Sequence, residues 1–207
     1  MKVFITGIGT GVGKTVVSAI LCEAFGADYW KPIQAGNLDE SDTMVVRSLV
    51  TNPDSVFHPE VYRFRLAVSP HQAAADENKV IELSRFILKT ANHLVIEGAG
   101  GVLVPLTQKL LMVDLMKFLE VPVILVSRHY LGSINHTLLS IEALRFHSVP
   151  LLGVIFNGNK DPFTEDVILE KGDVRFLGRV KNEPLVDNKM VSRYAKQFRQ
   201  NLGDLFA

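Results

Sequence analysis

Four short stretches of the chain are almost wholly apolar and rich in β-branched residues: 3-VFIT-6, 94-LVIE-97, 121-VPVILVS-127 and 151-LLGVIFN-157. None alternates apolar with polar positions. Strands buried on both faces read this way, as in a parallel sheet covered by helices. Between them, apolar residues recur at helical spacing. Val16, Val17, Ile20, Leu21, Ala24 and Phe25 form one such face. Further helices are expected around Ile81, Phe86 and Leu88, over 113–119 and over 134–144. Strands that alternate with helices predict crossover units, hence a doubly wound, mainly parallel α/β sheet flanked by helices. Ligands of such sheets sit at the carboxyl ends of the strands.

The stretch from about 32 to 80 is less regular. It holds a loop with Gly36, Asp39, Glu40 and Asp42, an extended piece, and then 69-SPHQAAA-75. It reads as a functional insertion on the same domain. No linker, repeat or low-complexity tract marks a boundary, so residues 1–207 are expected to form one domain. The tail is amphipathic: Val191, Tyr194, Ala195, Phe198, Leu202 and Leu205 share a face, with Arg193, Lys196 and Arg199 elsewhere. Such a tail can lie on a membrane; a terminal helix packed on the sheet is the expectation.

Composition removes several function classes. Hydrophobic residues make up 47% of the 207 and charged residues 21%, which supports a packed core and argues against disorder. The formal net charge is zero, so the basic excess of a nucleic-acid binder is missing. Cys22 is the one cysteine; it excludes a disulfide framework and fits a cytoplasmic protein. The start of the chain has no apolar region of signal-peptide length. The apolar runs fall short of the roughly 20 residues a membrane span needs.

The candidate chemistry begins at 6-TGIGTGVGKT-15. The usual phosphate-binding loop has four residues between its first glycine and Gly-Lys-Thr, whereas Gly7 and Gly13 bracket five. The context is still strand, glycine loop, helix. Backbone N–H groups of the loop and the helix N-terminus suit a phosphate chain. Lys14 is placed to reach the β- and γ-phosphates, and the Thr15 hydroxyl to ligate Mg²⁺. Three further pieces fall at strand ends or helix starts. Glu97 closes a buried strand, where a carboxylate serves as a metal ligand or caps a helix. Lys31 follows the short strand pattern 27-ADYW-30; it is either a solvated lysine or a cation for charge developing on a transferred phosphoryl group. In 41-SD-42, Asp42 is either another Mg²⁺ ligand or, like Ser41, a helix cap.

With these pieces in view the chain resembles the dethiobiotin synthetase family, a P-loop NTPase-like group, over nearly its whole length. The carrying motifs are 9-GTGVGKT-15, 31-KPIQAG-36, Ser41-Asp42, 69-SPH-71, 97-EGAGG-101, 131-LGSINH-136 and the strand-end Asn157. The family uses the same long form of the loop, so the spacing is a family trait. The resemblance implies ATP-dependent closure of the cyclic urea of dethiobiotin from 7,8-diaminononanoate and CO₂, by way of a carbamate and a carbamic–phosphoric anhydride. It implies ATP and Mg²⁺ as cofactors. It assigns the nucleotide to Gly9, Thr10, Gly11, Val12, Gly13, Lys14, Thr15 and Asn157, with Asn157 reading adenine. Mg²⁺ goes to Thr15, Asp42 and Glu97. Catalysis falls to Lys31, Lys14 and Thr10, and substrate binding to Lys31, Gly100, Leu131, Gly132, Ser133 and Asn135. Family members are homodimers in which 131–135 of one subunit serves the other subunit's substrate site. Nucleic acid and membrane are not expected as partners.

The chain departs from the family pattern at Ile8-Gly9, where many members have Thr-Asp, at Gly11, often an acid, and at Ala35, often a hydroxyl residue. Contacts made by those side chains are lost. Two rivals stand beside the synthetase. A deviant-loop ATPase switch would carry an extra lysine where this chain has Gly9. A non-catalytic nucleotide-binding module would have no need of Lys31, Asp42 and Glu97 together. His71, His136 and Cys22 read as structural.

Overall fold

The computed structural model describes residues 1–206. Seven parallel strands form the sheet, in the order β4 (Phe57–His58), β2 (Asp28–Trp30), β6 (Leu94–Gly101), β1 (Lys2–Gly7), β7 (Val123–Arg128), β8 (Leu151–Asn157) and β9 (Phe176–Val180). The long apolar runs lie in its centre: β1, β6, β7 and β8. The edges are β2 with β4 on one side and β9 on the other. A second, two-stranded parallel sheet pairs β3 (Ile33–Ala35) with β5 (Tyr62–Phe64).

Both faces of the main sheet are covered, which is why its strands are apolar without alternation. On one face, α1 (Lys14–Phe25) and α7 (Asn188–Phe206) pack against Val3, Ile5, Val95, Ile124 and Ile155. The tail therefore joins the core: Val191 and Phe198 are fully buried, and Phe206 stacks on Phe25 at 3.9 Å. On the other face, α4 (Met112–Leu119) and the insertion cover Phe4, Leu94, Ile96 and Val123. A third cluster lies under α5 (Ser133–Phe146) and α6 (Pro162–Gly172), around Leu125 and Phe156.

The helix expected around Ile81, Phe86 and Leu88 does not form. Only a 3-10 turn, Leu83–Arg85, interrupts an irregular stretch there. At 3.6 residues per turn, Ile81 and Phe86 would lie about 140° apart on a helix. In the irregular path both reach the core, with Phe86 packed on Tyr62 at 5.5 Å and on Trp30 at 6.4 Å. Conversely, Pro70–Asp76 in the insertion is a helix, α3, with Pro70 in its first turn. Its short length hides the periodicity.

Candidate active site

The glycine loop leaves β1 at the middle of the sheet, between β6 and β7. Gly11 and Gly13 take left-handed backbone conformations, φ 71° and 94°. Gly13 also needs its missing side chain, because a Cβ there would meet Asn157 Nδ2 at 2.1 Å. Gly13 heads α1 without any side-chain cap, so the first N–H groups of that helix remain free for an anion. Lys14 begins the helix and folds back, its Nζ donating to the Gly9 carbonyl at 2.9 Å. Burial lowers its pKa to about 8, against the opposing pull of Glu97.

Strand register brings the other charged groups to this point. Ile5 of β1 pairs with Glu97 of β6, and Trp30 of β2 pairs with Ile96. Lys31, one residue beyond Trp30, therefore lies beside Glu97. Its ammonium is 3.1 Å from Glu97 Oε1 and 2.5 Å from Asp42 Oδ2. Burial works against this ammonium, yet Glu97 and Asp42 outweigh it and hold its pKa above the ordinary lysine value. Asp42 shows the reverse: burial raises its pKa, and Lys31 with Thr15 brings it below the usual carboxylate range. Asp42 opens α2 (Asp42–Leu49), but the capping falls to Ser41, whose Oγ accepts from Met44 N at 3.4 Å. The Asp42 carboxylate is thus left to face the cleft. Glu97 caps no helix; it is buried among Thr15, Lys31 and Tyr29.

Thr15 Oγ1 ties the carboxylates together, 3.1 Å from Asp42 Oδ1 and 3.0 Å from Glu97 Oε1. A hydroxyl and two carboxylates make an all-oxygen set. Mg²⁺ takes such sets, completing its shell with waters and substrate phosphates. Among the described residues no group of three or more His, Cys, Asp or Glu side chains gathers into a complete protein cage. Two carboxylates and a hydroxyl suffice for part of such a shell and leave its other positions open.

These groups line one cleft of about 660 Å³, with Thr10, Gly11, Gly13 and Gly100 at its wall. Gly100 has φ 68°, and a Cβ on it would lie 3.7 Å from Thr10 Oγ1, so the two face each other closely. Asn157 ends β8 beside the loop, and its Nδ2 donates to the Val12 carbonyl at 2.8 Å. One amide hydrogen and the carbonyl remain for another partner. Leu131, Gly132, Ser133 and Asn135 do not join this cleft. They lie at the start of α5, where Ser133 is buried and Leu131 and Asn135 are exposed.

Two residues without an assigned role in the sequence reading belong to the site. Gln34 is buried; its Nε2 donates to Gly36 O at 2.9 Å and its Oε1 accepts from Asp42 N at 3.3 Å. It locks the Lys31 loop to the start of α2. Tyr29 donates its hydroxyl to Glu97 Oε2 at 2.9 Å. Burial, with Glu97 nearby, pushes its phenol pKa up, so it stays a donor. Tyr29 reads in sequence as one more apolar strand residue; only its height on the sheet reveals the contact. Two departures from the family pattern also find physical terms. Ile8 packs against the two apolar clusters on either side of the loop, which a threonine would fill less well. Gly9 has open space where a Cβ would stand, so its missing side chain is not required by packing.

A family model described as an AAA domain matches residues 1–190. The ATP-dependent dethiobiotin synthetase of Christiangramia forsetii is 50% identical, with 98% of each chain covered. That of Cytophaga hutchinsonii is 45% identical, over 97% of this chain and 98% of its own. The chain belongs to the ATP-dependent dethiobiotin synthetase family. Membership makes this a ligase family with a P-loop for ATP. Among solved structures, the MinC:MinD cell division complex of Aquifex aeolicus matches with a TM-score of 0.62 at 16% identity, covering 98% of this chain and 96% of that one. A ParA family ATPase from Chlorobium tepidum matches at 0.60 and 15%, covering 99% and 96%. At that identity the likeness establishes the P-loop fold alone.

Proposed function

We propose that this protein closes the cyclic urea of dethiobiotin from 7,8-diaminononanoate and CO₂, converting ATP to ADP and phosphate. The observation that carries the reading is the convergence of Lys31, Asp42 and Glu97 with Lys14 and Thr15 at the head of α1. Family membership supplies the substrate class.

The chemistry runs in three steps. One amine takes up CO₂ and loses a proton, giving a carbamate. A carbamate oxygen attacks the γ-phosphorus, the bond to ADP breaks, and a mixed anhydride forms. The second amine attacks the anhydride carbon, the ring closes and phosphate leaves. The second step brings two anions together, so positive charge must stand between them. Lys14, at the helix start, suits the β- and γ-phosphates. Lys31, buried at the cleft, suits the oxygens of the transferring group. The Thr10 hydroxyl, at the cleft wall, suits a hydrogen bond to the carbamate or γ-phosphate. Thr15, Asp42 and Glu97 would hold Mg²⁺, which would supply further charge neutralisation on the phosphates. Asn157, beside the loop, suits the adenine edge.

We assign the substrate's carboxylate to Leu131, Gly132, Ser133 and Asn135 of a second subunit. Support comes from the outer face of α5. Asn135, Leu139, Glu142 and Phe146 repeat at helical spacing and all are exposed, Leu139 by 59% and Phe146 by 85%. A homodimer sealed by Leu139 and Phe146 would carry Asn135 into the same interface. The continuous seven-stranded sheet supports a single domain over residues 1–207. Among the described residues no helix is long and apolar enough to cross a membrane.

The test is ADP release with Mg²⁺, ATP and bicarbonate, with and without 7,8-diaminononanoate. Diamine-dependent ADP release with dethiobiotin as product is expected. ATP turnover that ignores the diamine would favour the rival reading as a deviant-loop ATPase switch.

A further inference from the structure

The two oxygens of Glu97 have separate partners. Oε1 accepts from Thr15 Oγ1 at 3.0 Å and from Lys31 Nζ at 3.1 Å, so it faces the cleft. Oε2 accepts from Tyr29 OH at 2.9 Å and points away from it. Glu97 is 1% exposed and Tyr29 0%. Water therefore cannot take over the Oε2 bond from the phenol. Strand register explains how the phenol reaches it. Tyr29 pairs with Val95, and Val95 and Glu97 share one face of β6 because strand side chains alternate. The Tyr29 ring is fixed in turn by the core beneath α1 and by Phe57, whose ring centre is 6.4 Å away.

We infer that Tyr29 is a positioning residue that holds Glu97 with a single oxygen, Oε1, toward the cation site. This rests on the reading of Glu97 as a ligand of a divalent cation. A carboxylate tied down at one oxygen binds through the other alone. One-oxygen carboxylate ligation suits the small octahedral shell of Mg²⁺, whereas Ca²⁺ readily takes both oxygens of a carboxylate. Partners that orient a ligating side chain usually change metal affinity by roughly 10- to 100-fold when removed. Tyr29 thus sets both the strength and the selectivity of the site.

The test is Tyr29→Phe, which keeps the ring and removes only the hydroxyl. Mn²⁺, with electron paramagnetic resonance detection, serves as the probe on the complex with ADP, and Ca²⁺ is titrated in competition. Mn²⁺ affinity is expected to fall about tenfold, and the preference for Mn²⁺ over Ca²⁺ to narrow. ADP affinity without metal should stay as in the unaltered protein. In a Glu97→Gln background the Tyr29 change should have no further effect on Mn²⁺. A variant that melts lower but keeps the Mn²⁺ affinity and the selectivity overturns the inference and leaves a purely structural bond. If the unaltered protein with ADP holds Mn²⁺ no better than ADP alone, the cation-site reading itself fails, and the inference falls with it.

Discussion

Replacing Lys31 with methionine tests the centre of the site most directly. The substitution keeps an unbranched apolar stem and removes the ammonium. Lys31 and Glu97 are 5% and 1% exposed at their side chains, so Glu97 is left as a buried carboxylate without its cation. Breaking a buried pair by removing one partner costs about 3–5 kcal/mol. Asp42 is 33% exposed and can recover water, which argues for the lower end, about 3 kcal/mol. For a chain of this size that corresponds to a fall in Tm of about 6–12 °C. Under the proposed metal assignment Mg²⁺ would offer a replacement charge to Asp42 and Glu97, so it should raise the Tm of the variant more than that of the unaltered protein. ATP affinity should change little, because Lys14 and the loop are untouched. Turnover should fall by about 10²–10³, the usual cost of losing one group that stabilises developing charge. Thermal melting with and without Mg²⁺, paired with diamine-dependent ADP release, reads both effects. A variant that melts within about 2 °C of the parent and keeps a tenth of its turnover refutes both the buried-pair argument and the catalytic assignment.

Three further outcomes are expected. The Lys14 pKa is about 8 in the free enzyme, and bound phosphates can only raise it. ATP binding should therefore take up a proton as pH rises through 8, and its affinity should decline across that window; calorimetry in buffers of different ionisation enthalpy would expose a pH-independent result. Gly13→Ala combines a forbidden φ with a clash at Asn157 and should weaken ATP binding by more than tenfold, while Gly9→Ala, in open space, should leave it unchanged; ATP titration of the two variants checks the contrast. Leu139→Glu on the exposed face of α5 should convert a dimer to a monomer in light scattering and lower turnover with it; a dimer that persists would move the interface elsewhere.

The parallel sheet was legible because its central strands are buried on both faces, which forces unbroken apolar runs such as 151–157. The phosphate loop was legible because Gly11 and Gly13 are demanded locally by a left-handed backbone, and because a lysine at a helix N-terminus, where the dipole disfavours a cation, points to a bound anion. The edge strands β4 and β9 and the helix α3 were not, because a few residues carry no readable period. Ile81 and Phe86 misled for a related reason: they fill the core from an irregular path and only mimic a helical face.

The sequence by itself determined the scaffold, the loop and the residue types that a phosphoryl-transfer site needs, since these depend on neighbours along the chain. It left open whether Ser41 or Asp42 caps α2, which the local Met44 N–Ser41 Oγ contact decides, and whether Glu97 caps a helix and Lys31 is solvated. The last two depend on register between strands 60 or more residues apart, which sets Lys31 beside Glu97 and Tyr29 beneath it. Only the folded sheet brings such groups within hydrogen-bond distance, and only there does burial make their charges depend on one another.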